Sequence, residues 1–187
     1  MRLILASESK ARKLAMSALA IPFTVVPPKI DEKAIRHEDP YHLVEKLAIE
    51  KAKALVGQEN AIIIAADMFC VHNNKIFEKP KDLTQAKQML SELSGQTFEI
   101  ISGQCALNTN TKEVKSSMSI LKTTFRKLSN GEIDRYCSKH PVLNYSAAFD
   151  GTGNTLFCER VEGSNIGEAG MDMSQITEFL NYFKIIN

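Results

Sequence analysis

A run of six apolar residues at positions 61–66 (AIIIAA) limits the possible folds more than any other feature of this sequence. A short apolar run with polar residues on both sides is typical of a strand that is buried on both faces. A membrane-spanning helix needs about 20 apolar residues, and no segment of the chain approaches that length. The run therefore predicts a buried strand in a soluble globular protein.

The composition excludes several classes of protein. The 187 residues carry 23 basic and 22 acidic side chains, a formal net charge of +1, whereas proteins that coat a nucleic acid duplex have a clear basic excess. The length suits one domain, or two small lobes around a cleft. The four cysteines are widely separated and the four histidines lack HExxH spacing, so no thiolate or histidine zinc site is expected. We expect reduced thiols and a cytoplasmic location.

The predicted elements follow one another in a mixed α/β order rather than in a strict β-α-β alternation. Ser129 and Glu132 form a capping box, and Asn73-Asn74 between two short apolar runs predicts a hairpin. The segment 146–170 is rich in glycine and small residues, so we expect loops and short strands there. Strands are predicted at residues 2–5, 23–26, 61–66, 97–107 and 114–125, and helices at 9–19, 40–57, 82–93, 129–137 and 175–183.

The first candidate site lies near the N-terminus, where hydroxyl and cationic side chains cluster. Lys10, Arg12 and Lys13 fall in the first turn of a predicted helix, where the helix dipole disfavours positive charge. Ser7, Ser9 and Arg12, with free backbone N–H groups, would form a cradle for an anion such as phosphate. The alternative is a solvated basic turn in which Ser9 only caps the helix.

Acidic side chains supply the second group of candidates. Asp67 directly follows the apolar run, and ligands in open α/β sheets usually bind at the carboxyl ends of the strands. Asp31 and Glu32 follow a proline-rich strand end, where paired acids could hold a divalent cation or orient water. The alternatives are that Asp67 caps a turn and that the acidic pair forms a surface turn.

Two lysines complete the candidate set. Lys51 falls on the apolar face of its predicted helix, so its ammonium group either extends to the surface or points into a cleft. Lys79 precedes Pro80, which keeps residue 79 extended and gives its side chain a fixed direction. Cations, carboxylates and a hydroxyl-rich loop within residues 7–79 fit polyphosphate chemistry, because carboxylates bind Mg²⁺ and activate water while Arg and Lys hold phosphates.

These same positions resemble the Maf family of nucleoside triphosphate pyrophosphatases, the family of septum formation proteins. The resemblance covers nearly the whole chain. It implies an α/β fold like that of inosine triphosphatases, with a mixed, elongated, twisted sheet flanked by helices. It also implies one domain over residues 1–187, with two lobes around a central nucleotide-binding cleft. The matching segments are LILASESKAR, PPKIDE, LAIEKA, IIIAAD, and KIFEKP followed by DLTQAKQMLSELSGQTFEIISG, with FCERVEGS similar to a later motif.

The resemblance implies hydrolysis of the bond between the α and β phosphates, which gives a nucleoside monophosphate and pyrophosphate. Asp67 and Glu32 would be the catalytic residues and would also hold a divalent metal cation, Mg²⁺, that bridges phosphates. The implied partner is a nucleoside triphosphate substrate, and dimers are frequent in the family, which makes a homodimer a candidate assembly. From the composition, neither membrane association nor stable nucleic-acid binding is expected. The residues implied to bind the phosphates of the substrate are Ser7, Ser9, Arg12, Lys51 and Lys79.

The positions implied to select the base depart from the usual pattern of the family. Ala11 replaces one arginine of Ser-Pro-Arg-Arg, Met68 stands where Thr or Gln is usual, and the late Gly-Leu-Pro-Leu is Gly-Met-Asp-Met at 170–173. Asp150 lies near the specificity position, where a carboxylate would accept from a guanine edge and repel the carbonyls of uracil or thymine. We therefore expect 7-methyl-GTP as the substrate. The alternatives are the dTTP/UTP branch and a weakly catalytic nucleotide-binding regulator of cell division.

Overall fold

The computed structural model describes residues 1–167 and 169–186, so Glu168, within the segment predicted to form loops, and Asn187 lie outside the described residues. None of the helices in the described part of the chain is long and apolar enough to cross a membrane. The strands are β1 (Arg2–Leu5), β2 (Thr24–Val25), β3 (Ala61–His72), β4 (Lys75–Phe77), β5 (Thr97–Asn108), β6 (Val114–Phe125) and β7 (Cys158–Gly163). The helices are α1 (Lys10–Ser17), α2 (Pro40–Lys53), α3 (Leu83–Leu93), α4 (Asn130–Lys139), α5 (Gly151–Phe157) and α6 (Met173–Tyr182).

The strands form a mixed sheet of seven, in the order β2-β1-β3-β5-β6-β7, with β4 paired to β3. Strand β1 is parallel to both β2 and β3, whereas the pairs β3-β4 and β6-β7 are antiparallel. This arrangement confirms the predicted α/β class with a mixed sheet.

The chain divides into two compact units. The first unit contains Met1–Met68, Ser102–Ser119 and Ser164–Asn187, and the second contains Phe69–Ile101 and Ile120–Gly163. Strands β3, β5 and β6 therefore contribute residues to both units.

The core of the first unit is mainly aliphatic and lies on both faces of β1 and β3. Side chains alternate between the two faces of a strand, so Ile62 and Ile64 join one cluster while Ile63 joins the other. Helices α1 and α6 cover the first cluster, and α2 covers the second. At Gly103 a Cβ atom would lie 2.4 Å from the carbonyl oxygen of Val44, so only glycine lets α2 approach β5 this closely.

The core of the second unit is built around aromatic side chains. Phe125 makes edge-to-face contacts with Phe98, Phe149 and Phe157, with ring centroids 4.8–5.6 Å apart. Such geometry directs the positive ring edge of one residue to the negative face of the next. Helices α3 and α4 contribute further buried residues to this cluster, among them Leu90.

Two element predictions need correction. The strand predicted at residues 61–66 continues to His72, because residues 70–72 pair with β4 through the predicted hairpin at Asn73-Asn74. Asp67 therefore lies within a strand and not at its carboxyl end. The segment 146–170 contains a helix, α5, which was not predicted; its N-cap is Asp150 and its buried Phe157 joins the aromatic core.

Candidate functional site

Lys51 lies between two carboxylates in the first unit. Its Nζ atom is 2.8 Å from Asp67 Oδ1 and 3.2 Å from Glu32 Oε1. The side chains of Lys51 and Asp67 are only 7% and 13% exposed, whereas that of Glu32 is 52% exposed. A buried ammonium group is tolerated here because it is paired on two sides. The cluster thus combines a fixed cation with one enclosed and one accessible carboxylate.

The sequence of α2 explains why Lys51 is buried. Asp39 caps the helix by accepting a hydrogen bond from Tyr41 N, and Pro40 occupies the first turn. One turn before Lys51, Leu47 and Ala48 are buried, so helical periodicity places the lysine on the covered face. Sequence reasoning left open whether this lysine reaches the surface or a cleft; in the structure its ammonium group meets carboxylates.

Asp67 meets Lys51 because of the period of two in β3. Ile63, Ala65 and Asp67 point to the same face of the strand, and the first two pack in the cluster that α2 covers. The strand thus aims a carboxylate at the helix that carries the lysine.

Asp31 and Glu32, the acidic pair that follows the proline-rich strand end, make different contacts. Asp31 caps a short 3-10 helix, Glu32–Ala34, by accepting from Lys33 N at 3.0 Å. Glu32 instead reaches Lys51. The two acids predicted together as a candidate therefore have different roles, one local and one in the cluster.

The guanidinium group of Arg12 is held by two backbone carbonyl oxygens. Nη1 donates to Ala66 O at 2.6 Å, and Nε donates to Ala169 O at 3.2 Å. Burial lowers the pKa of Arg12, while the nearby charges of Asp67 and Glu32 raise it. A guanidinium has five N–H groups in a fixed fork, so an arginine anchored in this way can still donate to a phosphate.

Ser7 and Ser9 lie on the segment that leads into α1. Ser9 caps the helix by accepting from Arg12 N at 3.3 Å, and its own backbone N–H donates to the hydroxyl of Ser7 at 3.1 Å. Ser7 is buried, whereas Ala11 is exposed on the helix. The cap named as the alternative role of Ser9 is present, and it also connects the hydroxyl segment to Arg12; the anion cradle stays a prediction.

Three other predicted site residues take no part in the hydrogen bonds and ion pairs given above for the described residues. Met68 is half-buried and packs against Gly170, where a Cβ atom would lie 2.7 Å from the Met68 sulfur. Lys79 and Asp150 belong to the second unit. Lys79 is exposed, and Asp150 accepts from Tyr136 OH at 2.9 Å and from Gly153 N at 3.0 Å. Asp150 thus has a structural role as the cap of α5, and its predicted role in base selection stays a prediction.

The described residues contain no group of three or more His, Cys, Asp or Glu side chains that could hold a metal ion. Asp67 and Glu32 are two carboxylates joined through one ammonium group. Mg²⁺ is commonly bound by one or two carboxylates, with water and substrate phosphates as its remaining ligands. The donor set therefore fits a Mg²⁺ ion that arrives with a phosphate ligand, and it does not fit a site made wholly of protein ligands.

Sequence reasoning missed the groups that hold Arg12. Ala66 and Ala169 act through main-chain oxygens, which leave no signal in side-chain chemistry. It also missed a set of buried polar residues in β5 and β6. A signal for that set did exist, since Ser102 and Gln104, like Ser117 and Ser119, are polar residues two apart and so share a strand face.

Comparisons with known proteins point to one family and one fold. Residues 2–183 match a family model described as Maf-like protein. A 7-methyl-GTP pyrophosphatase of Vibrio vulnificus is 34% identical, with 88% of this chain and 85% of that protein covered. A dTTP/UTP pyrophosphatase of Syntrophomonas wolfei is 32% identical, with 92% of each chain covered. A HAM1 protein from Coxiella burnetii shares the fold, with a TM-score of 0.55 at 15% identity over 97% of this chain and 99% of that one.

Proposed function

Since the chain belongs to the family of Maf-like proteins, we propose that it hydrolyses the α–β phosphate bond of a nucleoside triphosphate. The match confirms the family predicted from the sequence segments and, with the names of the relatives, the predicted class of enzyme, a hydrolase. The products are a nucleoside monophosphate and pyrophosphate.

One observation carries the proposal, the placement of Lys51 Nζ between Asp67 and Glu32. In the proposed reaction Asp67 accepts a proton from water, whose oxygen forms the new bond to phosphorus while the bridging P–O bond breaks. Lys51 and Arg12 hold the negative charge that moves to the leaving pyrophosphate. Ser7 and Ser9 line the phosphate cradle, and Lys79 is assigned to the phosphates by the family pattern.

We assign a divalent cation, Mg²⁺, to Glu32 and Asp67. When bound, it would supply charge neutralisation for the phosphates. Glu32 is the more exposed of the two carboxylates, so it can change partner from Lys51 to a cation at small cost.

We further propose 7-methyl-GTP as the substrate, with Ala11, Met68 and Asp150 as the residues that set base preference. The Vibrio vulnificus relative supports this choice. The dTTP/UTP pyrophosphatase of Syntrophomonas wolfei, which is 32% identical, supports the alternative base class. The predicted cytoplasmic location, the homodimer and the single two-lobed domain over residues 1–187 stay predictions.

The test is pyrophosphate release by the purified protein with Mg²⁺ over 7-methyl-GTP, UTP, dTTP, GTP and CTP. Release with 7-methyl-GTP alone supports the whole proposal. Preference for UTP or dTTP would overturn the assignment of the base and keep the reaction. Nucleotide binding without release from any of them would overturn the proposed activity and favour the regulatory alternative.

Matched variants test the assignment of residues. Asp67→Asn should lower kcat by at least about 1,000-fold and leave nucleotide binding intact, because the amide cannot accept the proton from water. Glu32→Gln should weaken activation by Mg²⁺, whereas Asp31→Asn, which keeps its cap, should behave as wild type. Wild-type turnover in Asp67→Asn would contradict the mechanism.

A further inference from the structure

A network of hydrogen-bonded polar side chains is buried in the first unit. It consists of Asp172, Ser119, Gln104 and Ser102, all of which are at most 5% exposed, and is called the buried network below. Asp172 Oδ2 accepts from Ser119 Oγ at 2.9 Å, and Gln104 Nε2 donates to Ser119 Oγ at 3.0 Å. Burial of polar groups costs free energy, so we expect a buried polar network of this length to have a role beyond filling the core.

The carboxylate at one end determines the direction of the hydrogen bonds as far as the Gln104 amide. An ionised Asp172 only accepts, so Ser119 must donate to it and must accept from the amide nitrogen of Gln104. The Gln104 oxygen is then turned towards Ser102, whose Oγ lies 2.9 Å away. Desolvation acts to raise the pKa of Asp172, but hydrogen bonds from Ser174 and Ser119 outweigh it and the pKa is lowered. The orientation from Asp172 to Gln104 is therefore fixed at neutral pH, while the single hydroxyl proton of Ser102 is shared between two acceptors, Gln104 Oε1 and Gly170 O.

The other end of the network reaches the peptide that directly follows the one Arg12 contacts. Ser102 Oγ also lies 2.8 Å from Gly170 O, and the preceding carbonyl, Ala169 O, accepts from Arg12 Nε. Gly170 itself has a φ of +61° and packs on Met68, so this turn has little freedom to move independently. We propose that Asp172 is a positioning residue for Arg12 and acts through the buried network. Only the identity of the ligand of Arg12 rests on the proposed function.

The two oxygens of Asp172 separate this role from an ordinary helix cap. Oδ1 caps α6, accepting from Ser174 Oγ at 2.6 Å and from Ser174 N at 3.1 Å. Oδ2 faces the network through Ser119. Two serines therefore bind the same carboxylate, one on the side of the helix and one on the side of Arg12.

This pair of serines provides a matched experiment. Ser119→Ala and Ser174→Ala each remove one hydroxyl from Asp172 and should lower Tm by similar amounts. Ser119→Ala should raise KM for the triphosphate about 3- to 10-fold with kcat within about two-fold, because Arg12 would bind the phosphates less well. Ser174→Ala should leave KM unchanged. Equal effects of the two variants on KM would overturn the proposal.

A second variant keeps the test valid if Ser119→Ala folds poorly. Asp172→Asn preserves the shape and the helix cap, since Asn caps as well as Asp, but its amide nitrogen would donate towards Ser119. The expected rise in KM is the same. The matched control is Asp82→Asn, which changes the cap of α3 in the second unit and should leave KM unchanged.

A readout on the free protein separates this proposal from the proposed function. The Nε–H signal of Arg12, identified by its loss in Arg12→Lys, should exchange with solvent about 10-fold faster in Ser119→Ala than in wild type. Faster exchange in a protein that releases no pyrophosphate would support the positioning role and contradict the function. If the wild type is active and Ser119→Ala changes neither the exchange rate of Arg12 Nε–H nor KM, the positioning role is overturned and the proposed function is not. In an Arg12→Ala background, Ser119→Ala should add nothing to KM.

Discussion

The two units use buried polar groups in opposite ways. In the first unit an aliphatic core encloses Lys51 and Asp67, which are paired with each other. In the second unit the core is a cluster of aromatic rings, and Asp150 at its margin caps α5 and accepts from Tyr136. Apolar walls strengthen the field between enclosed charges, whereas aromatic packing supplies stability without charge. The residues proposed to act on the bond that breaks therefore all lie in the first unit, and we expect the aromatic core of the second unit to be mainly structural.

Truncation of the aromatic core should give the largest change in stability. Phe125→Ala removes a ring with three edge-to-face neighbours, so we expect a loss of about 4 kcal/mol in the free energy of unfolding. Urea denaturation measures this loss. Leu156→Ala, at a 53% exposed position of the same unit, should change the free energy by less than about 0.5 kcal/mol.

The same variant also tests the comparison. The folded fraction of Phe125→Ala should keep a wild-type kcat without denaturant. A fall in kcat ahead of unfolding would show that the aromatic unit takes part in the chemistry.

Removal of the buried ammonium group of Lys51 should give the next largest loss of stability. Lys51→Met leaves Asp67 without its partner, which should cost about 3 kcal/mol of stability as well as activity. Lys53→Met, which breaks an exposed pair with Glu50 on the same helix, should cost no more than about 0.5 kcal/mol. Thermal and urea unfolding at neutral pH measure both variants.

A double variant separates the two consequences of removing Lys51. Lys51→Met combined with Asp67→Leu should recover most of the stability and none of the turnover, because apolar pairs replace buried ion pairs well. If Lys51→Met alone proves as stable as wild type, the cluster is more solvated than its exposure indicates.

Substitution of Gly170 should give a smaller loss of stability. Gly170→Ala adds a Cβ atom 2.7 Å from the Met68 sulfur to a residue with a φ of +61°, so we expect a loss of about 2 kcal/mol. Gly167→Ala has the same φ of +61°, but apart from its chain neighbours no atom of the described residues lies within 4 Å of the new Cβ, and it should cost only about 1 kcal/mol. Equal losses in the two variants, measured by urea unfolding, would show that Met68 moves aside freely.

The smallest effect concerns a surface carboxylate of the second unit. A hydrogen bond from Arg126, followed by those from the backbone and hydroxyl of Ser129, lowers the pKa of Glu132 from 4.5 to about 2. A lowered pKa in the folded state stabilises the protein above the unfolded pKa, and this contribution is lost as the pH falls from about 4.5 to about 2. NMR titration of the carboxyl carbon should show the shift, and Ser129→Ala should reduce it. An unshifted titration would contradict the capping box.

Local patterns in the sequence predict much of the fold. The hairpin at Asn73-Asn74 follows from two residues that tolerate positive φ, and both adopt it. The capping box of Ser129 and Glu132 is present as predicted. Helix α5 was missed because its sequence, GTGNTLF, has two glycines and a low helix propensity; its cap and the burial of Phe157 overcome this.

The site was harder to predict than the fold because it depends on distant contacts. Periodicity places Lys51 on the covered face of α2 and Asp67 on one face of β3, but only the packing of α2 on that face of β3 reveals that the two side chains meet. The end of β3 was placed too early because a carboxylate normally interrupts an apolar strand. The guanidinium group of Arg12 donates to main-chain oxygens, which every residue has, so the sequence gives no signal for these contacts.

The balance of charge around Lys51 has a consequence for how a nucleotide arrives. Lys51 and Arg12 together offset Asp67 and Glu32, and the whole chain has a formal net charge of +1. Beyond a screening length of about 10 Å, such a cluster acts on a diffusing anion almost as a neutral group. Encounter therefore depends on chance collision rather than on long-range attraction, and the association rate should be nearly independent of ionic strength. Under the proposed function, attraction begins only at contact, when the phosphates meet Lys51 and Arg12.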